Sequence, residues 1–379
     1  MSDTEFRSVL SRLDGGRPDA APPAPLLSSV AILGAGPVGL ALACEAVAEG
    51  LDTRIWSPVA ADVTPTVTVR GAYLVGTYRL GSDPAPMVTV AGGVDEAIAG
   101  VEAVLVATPS LEQSSVAGLL APHLRPEQLV VLVPGRCFGA AEFRRELQRC
   151  GVGALPAVGE LSAPPYLATT AAPGQLTVHA RLARVAASPN TARLSSVWPS
   201  LDIVDSALAT SFSDLLGVLN VAPLVLNTAM ADGGRGPRRE LMTSTVATVC
   251  EAVDRERRAV AFAFGVRDLP SAAEAVAAAH GLPIDGPASL HEVWHAVEAF
   301  DDLVLPGTSL RRQLGDDVAC SLVPLGSAGR CAGIPTPATD ALVATASLLA
   351  QVDYGSLGRS LGSLGLSSLT PEGVRRELV

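Results

Sequence analysis

The spacing of apolar and polar positions along the chain changes near residue 205. Before that point, short apolar runs bounded by glycine, proline and polar clusters predict strands and helices in turn. "VAILGAG" reads as a buried strand running into a glycine turn. "GPVGLALACEAVAEG" follows as a helix with Gly50 near its end, then "DTRIWS" as a strand. "AYLVGTYRLG" and "MVTVAG" alternate like the two strands of a hairpin. "VDEAIAG" and "SSVAGLLAPHL" read as helices, "VEAVLVATP" and "QLVVLVPG" as strands, and "GALPAVGE" and "QLTVHARLARVAA" extend the sheet. Strands alternating with helices imply a parallel, doubly wound sheet.

After "WPSLDIVDS" the period becomes helical. Residues 206–229, 239–264, 270–280, 288–300 and 337–351 read as helices, and "MTSTVATVCEAVDRERRAVAFAFG" as a long amphipathic one. The predicted class is α/β: a Rossmann doubly wound parallel sheet over 29–204, then an all-α helical domain over 205–379 that binds substrate and pairs two copies into a homodimer. Residues 1–28 read as a flexible arm whose "GGRPDAAPPAPLLSS" is a linker.

Composition agrees with a folded two-domain chain: 379 residues, 48% apolar and 17% charged. No apolar run is expected to span a membrane. The first residues lack a secretory apolar core, so the expected location is cytoplasmic. A net charge of −11 without basic clusters argues against nucleic acid or anionic membranes as partners. The six cysteines are scattered without a CxxC and read as reduced thiols. All 27 basic residues are arginine. That excludes a Schiff-base lysine, a P-loop lysine and a lysine general acid.

"GAGPVG" places Gly34, Gly36 and Gly39 in G-x-G-x-x-G spacing between a strand and a helix, the context that gives the pattern its meaning. Gly34 permits the tight turn, Gly36 lets a pyrophosphate approach the backbone, and Gly39 lets helix and strand pack closely. Pro37 and Val38 open the helix, whose free N–H groups favour anions. The next strand ends at Ser57, where NAD-binding versions carry an acidic residue for the ribose. A 2′-phosphate is not repelled there, and Arg54 and Arg70 are the candidates to reach it, so NADPH is expected ahead of NADH. Thr108 and Pro109 in "ATPS" and Gly135 in "VPGR" end later strands, where ligands of such sheets bind.

"HEVWH", His291 to His295, matches a zinc-hydrolase pattern with Glu292 as base. The competing readings are a plain helix face, or a histidine lining a substrate cleft. No metal is expected. His123, His179 and His280 read as surface residues. "DRERR", Asp254 to Arg258, reads as a solvated face, and "GGRGPRRE", Gly233 to Glu240, as a flexible basic surface loop, the alternative being a loop that guides an acidic substrate or closes over it.

The chain resembles the NAD(P)-dependent opine dehydrogenases, the octopine/nopaline dehydrogenase family. The resemblance covers most of residues 29–370. It rests on "VAILGAGPVGLALA", on "GELSAPPY", on "LNVAPLVLN" with "VCEAVDRERRAVAFAFGV", and above all on "SLRRQLGDDVACSLVPLGSAGRCAGIPTPATDALVATASLLAQVDYGSLGRSLGSLGL". It implies a Rossmann domain joined to a helical one, and condensation of an amine with a 2-oxo acid followed by hydride reduction of the imine. Similar-looking ketopantoate, hydroxy-acid and glycerol-phosphate enzymes use a lysine proton donor, absent here.

Carried over position by position, the family's acid–base histidine, in a motif like "NxNPxxHP", falls on Leu226 and its following proline on Asn227, with Asn220 and Pro223 in register. The partner aspartate of "PTPxxDA" is Asp340. The resemblance thus implies Asp340, Asn220 and Asn227 as the catalytic set, with Glu160, Tyr166, Leu226 and Arg312 around the substrate. A leucine transfers no proton, which suggests reduction of a preformed imine. The alternative is a non-catalytic nucleotide-binding subunit or sensor on the same fold.

Overall fold

The computed structural model describes residues 27–378 except 60–62, 72–73, 82–86, 233–235, 284–285, 287 and 306–307. The expected arm lies outside the described residues except for its last two, Leu27, which is buried, and Ser28.

The strands are β1 (Ser29–Leu33), β2 (Asp52–Trp56), β3 (Thr66–Gly71), β4 (Gly76–Gly81), β5 (Val88–Val90), β6 (Ala103–Val106), β7 (Leu129–Leu132), β8 (Ala157–Glu160), β9 (Tyr166–Ala172), β10 (Gln175–Arg181), β11 (Val185–Ala187) and β12 (Leu201–Ile203). Ten of them form one sheet in the order β8-β7-β6-β1-β2-β5-β4-β3-β10-β9, and β11 pairs with β12. The block from β8 to β4 is parallel. The reversals are β3 against β4 and β9 against β10.

The expected hairpin is therefore displaced. β4 and β5 are parallel, and the hairpin partner of β4 is β3. The short link suffices because β5 begins level with the end of β4, with Leu80 opposite Val88. The chain need not travel back along the strand.

Alternate residues of the central strands feed two cores. Val30, Ile32, Leu105 and Val131 pack on one face, and Ala31, Leu33, Val104 and Val130 on the other. Burial on both faces explains why these strands are continuously apolar rather than alternating. Helix α1 (Pro37–Ala48) covers the first face. The second is covered by α2 (Val94–Ile98), α3 (Gln113–Leu120) and α4 (Gly139–Arg149).

The helical half begins with α5 (Ala207–Phe212) and continues through α6 (Leu216–Leu226), α7 (Thr228–Ala231), α8 (Ser244–Ala263), α9 (Ala272–Ala279), α10 (Leu290–Ala296), α11 (Leu310–Asp317), α12 (Val323–Ala332) and α13 (Pro337–Ala350). The stretch Ala207–Leu226 corrects one expectation. It is long and apolar enough, at mean hydropathy 1.5, to cross a membrane by composition, yet 67% of its most apolar window is buried inside the fold. Its apolarity belongs to the helical core.

The "DRERR" run is also corrected: Asp254 and Arg257 are buried and ion-paired at 2.6 Å. The acidic residues of α8 hold neighbouring helix N-termini. Glu251 accepts from Leu290 N at 2.8 Å, Asp254 from Ala272 N at 3.0 Å, and Glu256 from Ala338 N and Thr339 N at 2.7 and 2.9 Å. Each carboxylate satisfies orphan amides and meets the positive end of a helix dipole.

Several contacts among the described residues join the halves near the sheet's carboxyl edge, three of them through carboxylates. Ser211 donates to Glu160 at 2.5 Å, Arg359 pairs with Glu142 at 2.7 Å, and Asp316 accepts from Ser110 N and Leu111 N at 2.8 and 3.1 Å.

Candidate active site

The glycine turn after β1 has three different constraints. Gly34 has φ +113°, and a Cβ there would stand 2.8 Å from the carbonyl oxygen of Ala107. A Cβ on Gly39 would overlap the carbonyl oxygen of Gly34. A Cβ on Gly36 would meet nothing within 4 Å, at a position that caps α1 with no side chain. The protein itself thus demands Gly34 and Gly39, whereas the space at Gly36 is left open. Pro37 is the first residue of α1, and Val38 lines the cleft described below. Across the end of β6, Thr108 is buried with its hydroxyl unpartnered. An open backbone at a helix N-terminus beside an unused hydroxyl fits a dinucleotide pyrophosphate.

Ser57 lies at the end of β2, where its hydroxyl accepts from Val59 N at 3.2 Å. Arg54 does not support it. Its guanidinium donates to the carbonyls of Glu96 and Ala99 at 3.1 and 2.7 Å, at the C-terminal end of α2. Nor does Arg70: β3 runs against β4, so Arg70 lies towards the sheet edge opposite Ser57. Pro109 leads into the Ser110 turn held by Asp316. Gly135 is a glycine for an internal reason, since a Cβ there would overlap Glu160.

A cleft of about 1010 Å³ opens between the halves. Val38 and Tyr166 stand on its sheet side, and Asn220, Arg238 and His280 on its helical side. Under the helical wall lies a buried polar chain. Arg136, at φ +64°, pairs with Asp317 at 2.8 Å; Asp317 accepts from the Asn220 amide at 2.8 Å; and the Asn220 carbonyl accepts from Arg238. Tyr166 is 4% exposed, and its hydroxyl has no partner.

Several expected site residues are placed elsewhere. Glu160 is corrected from a substrate contact to a joint between halves. It is 1% exposed and accepts from Ala140 N at 2.7 Å and from Ser211. Burial pushes its pKa up to about 7. Asn227 is corrected from a catalytic amide to a helix terminator, because both its donors go to backbone carbonyls, of Pro223 at 2.8 Å and Leu241 at 3.1 Å.

Asp340, expected as the catalytic carboxylate, has its side chain 56% exposed in the first turn of α13, 3.6 Å from Arg330. Leu226 is 51% exposed at the end of α6, roughly 9 Å along the helix from Asn220. Arg312 is exposed on α11, one turn from Asp316 and on the same face.

The "HEVWH" segment is a helix start. Glu292 completes a capping box with Ser289. His295 accepts from Arg239 at 3.2 Å through Nδ1, and its Nε2 is 3.0 Å from the carbonyl of Met242. Neither His291 nor His295 lines the cleft; His280 does, against the expectation of a surface residue. It caps α9, meets the Phe300 ring edge to face at 5.0 Å, and burial holds its pKa below the usual value. No local sequence signal marks His280, since Phe300 lies twenty residues further on.

The match to a known family model covers residues 203–350 and is described as the NAD/NADP octopine/nopaline dehydrogenase, alpha-helical domain. An opine dehydrogenase of Arthrobacter sp. (strain 1C) is 30% identical over 355 residues, 91% of this chain and 97% of that protein. Among solved structures, octopine dehydrogenase in complex with NADH and agmatine superposes with a TM-score of 0.72 at 16% identity, covering 92% of this chain and 98% of that one. NADP+-bound yersinopine dehydrogenase gives 0.68 at 14% identity, covering 93% and 99%. These two likenesses speak for the fold. With the Arthrobacter protein matched along nearly its whole length, the chain belongs to the opine dehydrogenase family of NAD(P)-dependent oxidoreductases.

Proposed function

We propose that the protein reduces an imine with NADPH, the imine arising from an amine or amino acid and a 2-oxo acid or arriving preformed, as a cytoplasmic step of a specialised biosynthetic pathway. The observation that carries this reading is that one cleft has Val38, in the first turn of α1, on one wall and Asn220 with Arg238 on the facing wall. A dinucleotide laid on Gly36 and a substrate held by the helical half would then share one chamber. NADPH, when bound, supplies the hydride. The chain's own contribution is position and exclusion of water. Asn220, locked between Asp317 and Arg238, orients a carboxylate or carbonyl group. The Tyr166 hydroxyl offers a free donor in a mostly apolar enclosure.

A preformed protonated imine already has an electrophilic carbon, so its reduction needs no acid at Leu226. Condensation of free amine with 2-oxo acid does need proton transfer, and His280 is the cleft group suited to it. NADPH oxidation tests the reading. The purified protein should consume NADPH with preformed imines faster than with separate amines and 2-oxo acids. Tight NADPH binding without turnover on either set would instead favour the sensor reading, which the leucine at position 226 also supports.

A further inference from the structure

The cleft contains a guanidinium that no carboxylate among the described residues pairs with. Arg238 is fixed by its backbone: its N–H donates to Leu303 O at 2.8 Å, and Pro237 bridges Val304. Its half-buried guanidinium donates to the carbonyl oxygen of Asn220, a neutral partner. The nearby carboxylate, Asp317, is already 2.8 Å from Arg136. Among the described residues no carboxylate stands within 4.0 Å of Arg238, although thirteen such pairs involve other arginines. Burial disfavours its charge and the attraction of Asp317 does not make up the difference. A guanidinium presents five donors in a planar fork that matches a carboxylate. This one uses a single neutral contact. Asn220 cannot turn away, because its amide is committed to Asp317.

We propose that Arg238, oriented by Asn220, binds the carboxylate of the small molecule that occupies this cleft, so that the site selects 2-oxo acids or imino acids over neutral carbonyl compounds. This rests on the imine-reductase reading for the identity of the occupant, and on the unmatched guanidinium for the recognition. Arg238 lies in the 233–240 segment, and its position turns the vague attraction of a basic loop into one defined contact.

The test is calorimetric titration of oxamate, an unreactive 2-oxo acid analogue, into the NADPH-saturated protein, beside its neutral ethyl ester. Wild type should bind oxamate well above the ester. Arg238→Gln should lose about 10–100-fold in oxamate affinity, as expected for a charged hydrogen bond. Arg238→Lys should recover part of the loss, and NADPH affinity should be unchanged in both. Equal oxamate affinity in wild type and Arg238→Gln overturns the proposal, as does a wild type that does not distinguish oxamate from its ester. Failure of the imine-reductase reading looks different: oxamate binding depends on Arg238, yet no imine is reduced.

Discussion

Gly39 leaves no room for a side chain, because a Cβ there would overlap the carbonyl oxygen of Gly34. Gly36, three residues earlier, has open space where a Cβ would stand. The two glycines should therefore fail differently. Gly39→Ala should force the turn apart and cost about 1–3 kcal/mol of stability, as overpacking does. Gly36→Val should unfold at nearly the wild-type denaturant concentration but lose dinucleotide binding. Calorimetry with NADPH and urea unfolding of both variants separate the cases. A Gly36→Val protein that binds NADPH normally would remove the cradle assignment.

Ser57 ends β2 without a carboxylate, and Arg54 is engaged with α2. Cofactor preference should then depend on the absence of repulsion at this strand end. Ser57→Asp should shift preference from NADPH towards NADH by roughly 1–4 kcal/mol, the interaction of two close charges at intermediate to bulk dielectric. The ratio of kcat/KM for the two cofactors measures it. A wild type that prefers NADH sinks the prediction.

The joint at Glu160 should make stability depend on pH. Burial raises its pKa from 4.5 to about 7. Between those values the folded protein keeps a proton that the unfolded chain has released, so raising the pH favours unfolding. The contribution is fully present below 4.5 and lost by pH above about 7, amounting to about 3 kcal/mol at most. Glu45, also raised to about 7, titrates in the same window. Only the difference between wild type and Glu160→Gln isolates the joint. That difference should grow in favour of the variant from pH 5 to pH 8, and parallel unfolding curves would contradict the assignment.

Asp340 and His280 give opposite expectations to those of the family motif. Asp340→Asn should keep activity within about tenfold, because this exposed carboxylate pairs with Arg330 and is not among the residues lining the cleft. His280→Gln should slow reductive condensation of free substrates by about 10²–10⁴-fold, the usual cost of a lost acid–base group. It should spare reduction of a preformed imine. Burial holds the His280 pKa below the usual imidazole value, so the condensation rate should fall only at a pH more acidic than that at which a free histidine titrates. A dead Asp340→Asn, or a His280→Gln variant with unchanged condensation, reverses this assignment.

The sequence by itself determined what depends on neighbours in the chain. The glycine spacing of the dinucleotide turn, the doubly apolar strands and the change to helical period near residue 205 are local patterns. So are the capping boxes Ser271–Glu274 and Ser289–Glu292, the second of which accounts for half of the "HEVWH" pattern. Tertiary structure decided which polar groups find a partner within the protein and which do not. Glu160 and Tyr166 come from one quoted stretch, yet Glu160 closes on Ser211 and Tyr166 keeps a free hydroxyl. Asp316 and Asp317 are adjacent, but one holds the Ser110 turn 206 residues away and the other holds Asn220 and Arg136. A carboxylate or guanidinium reads the same in sequence wherever it lies. Its role is fixed by desolvation and by the partner across the fold, and neither exists until distant segments pack together.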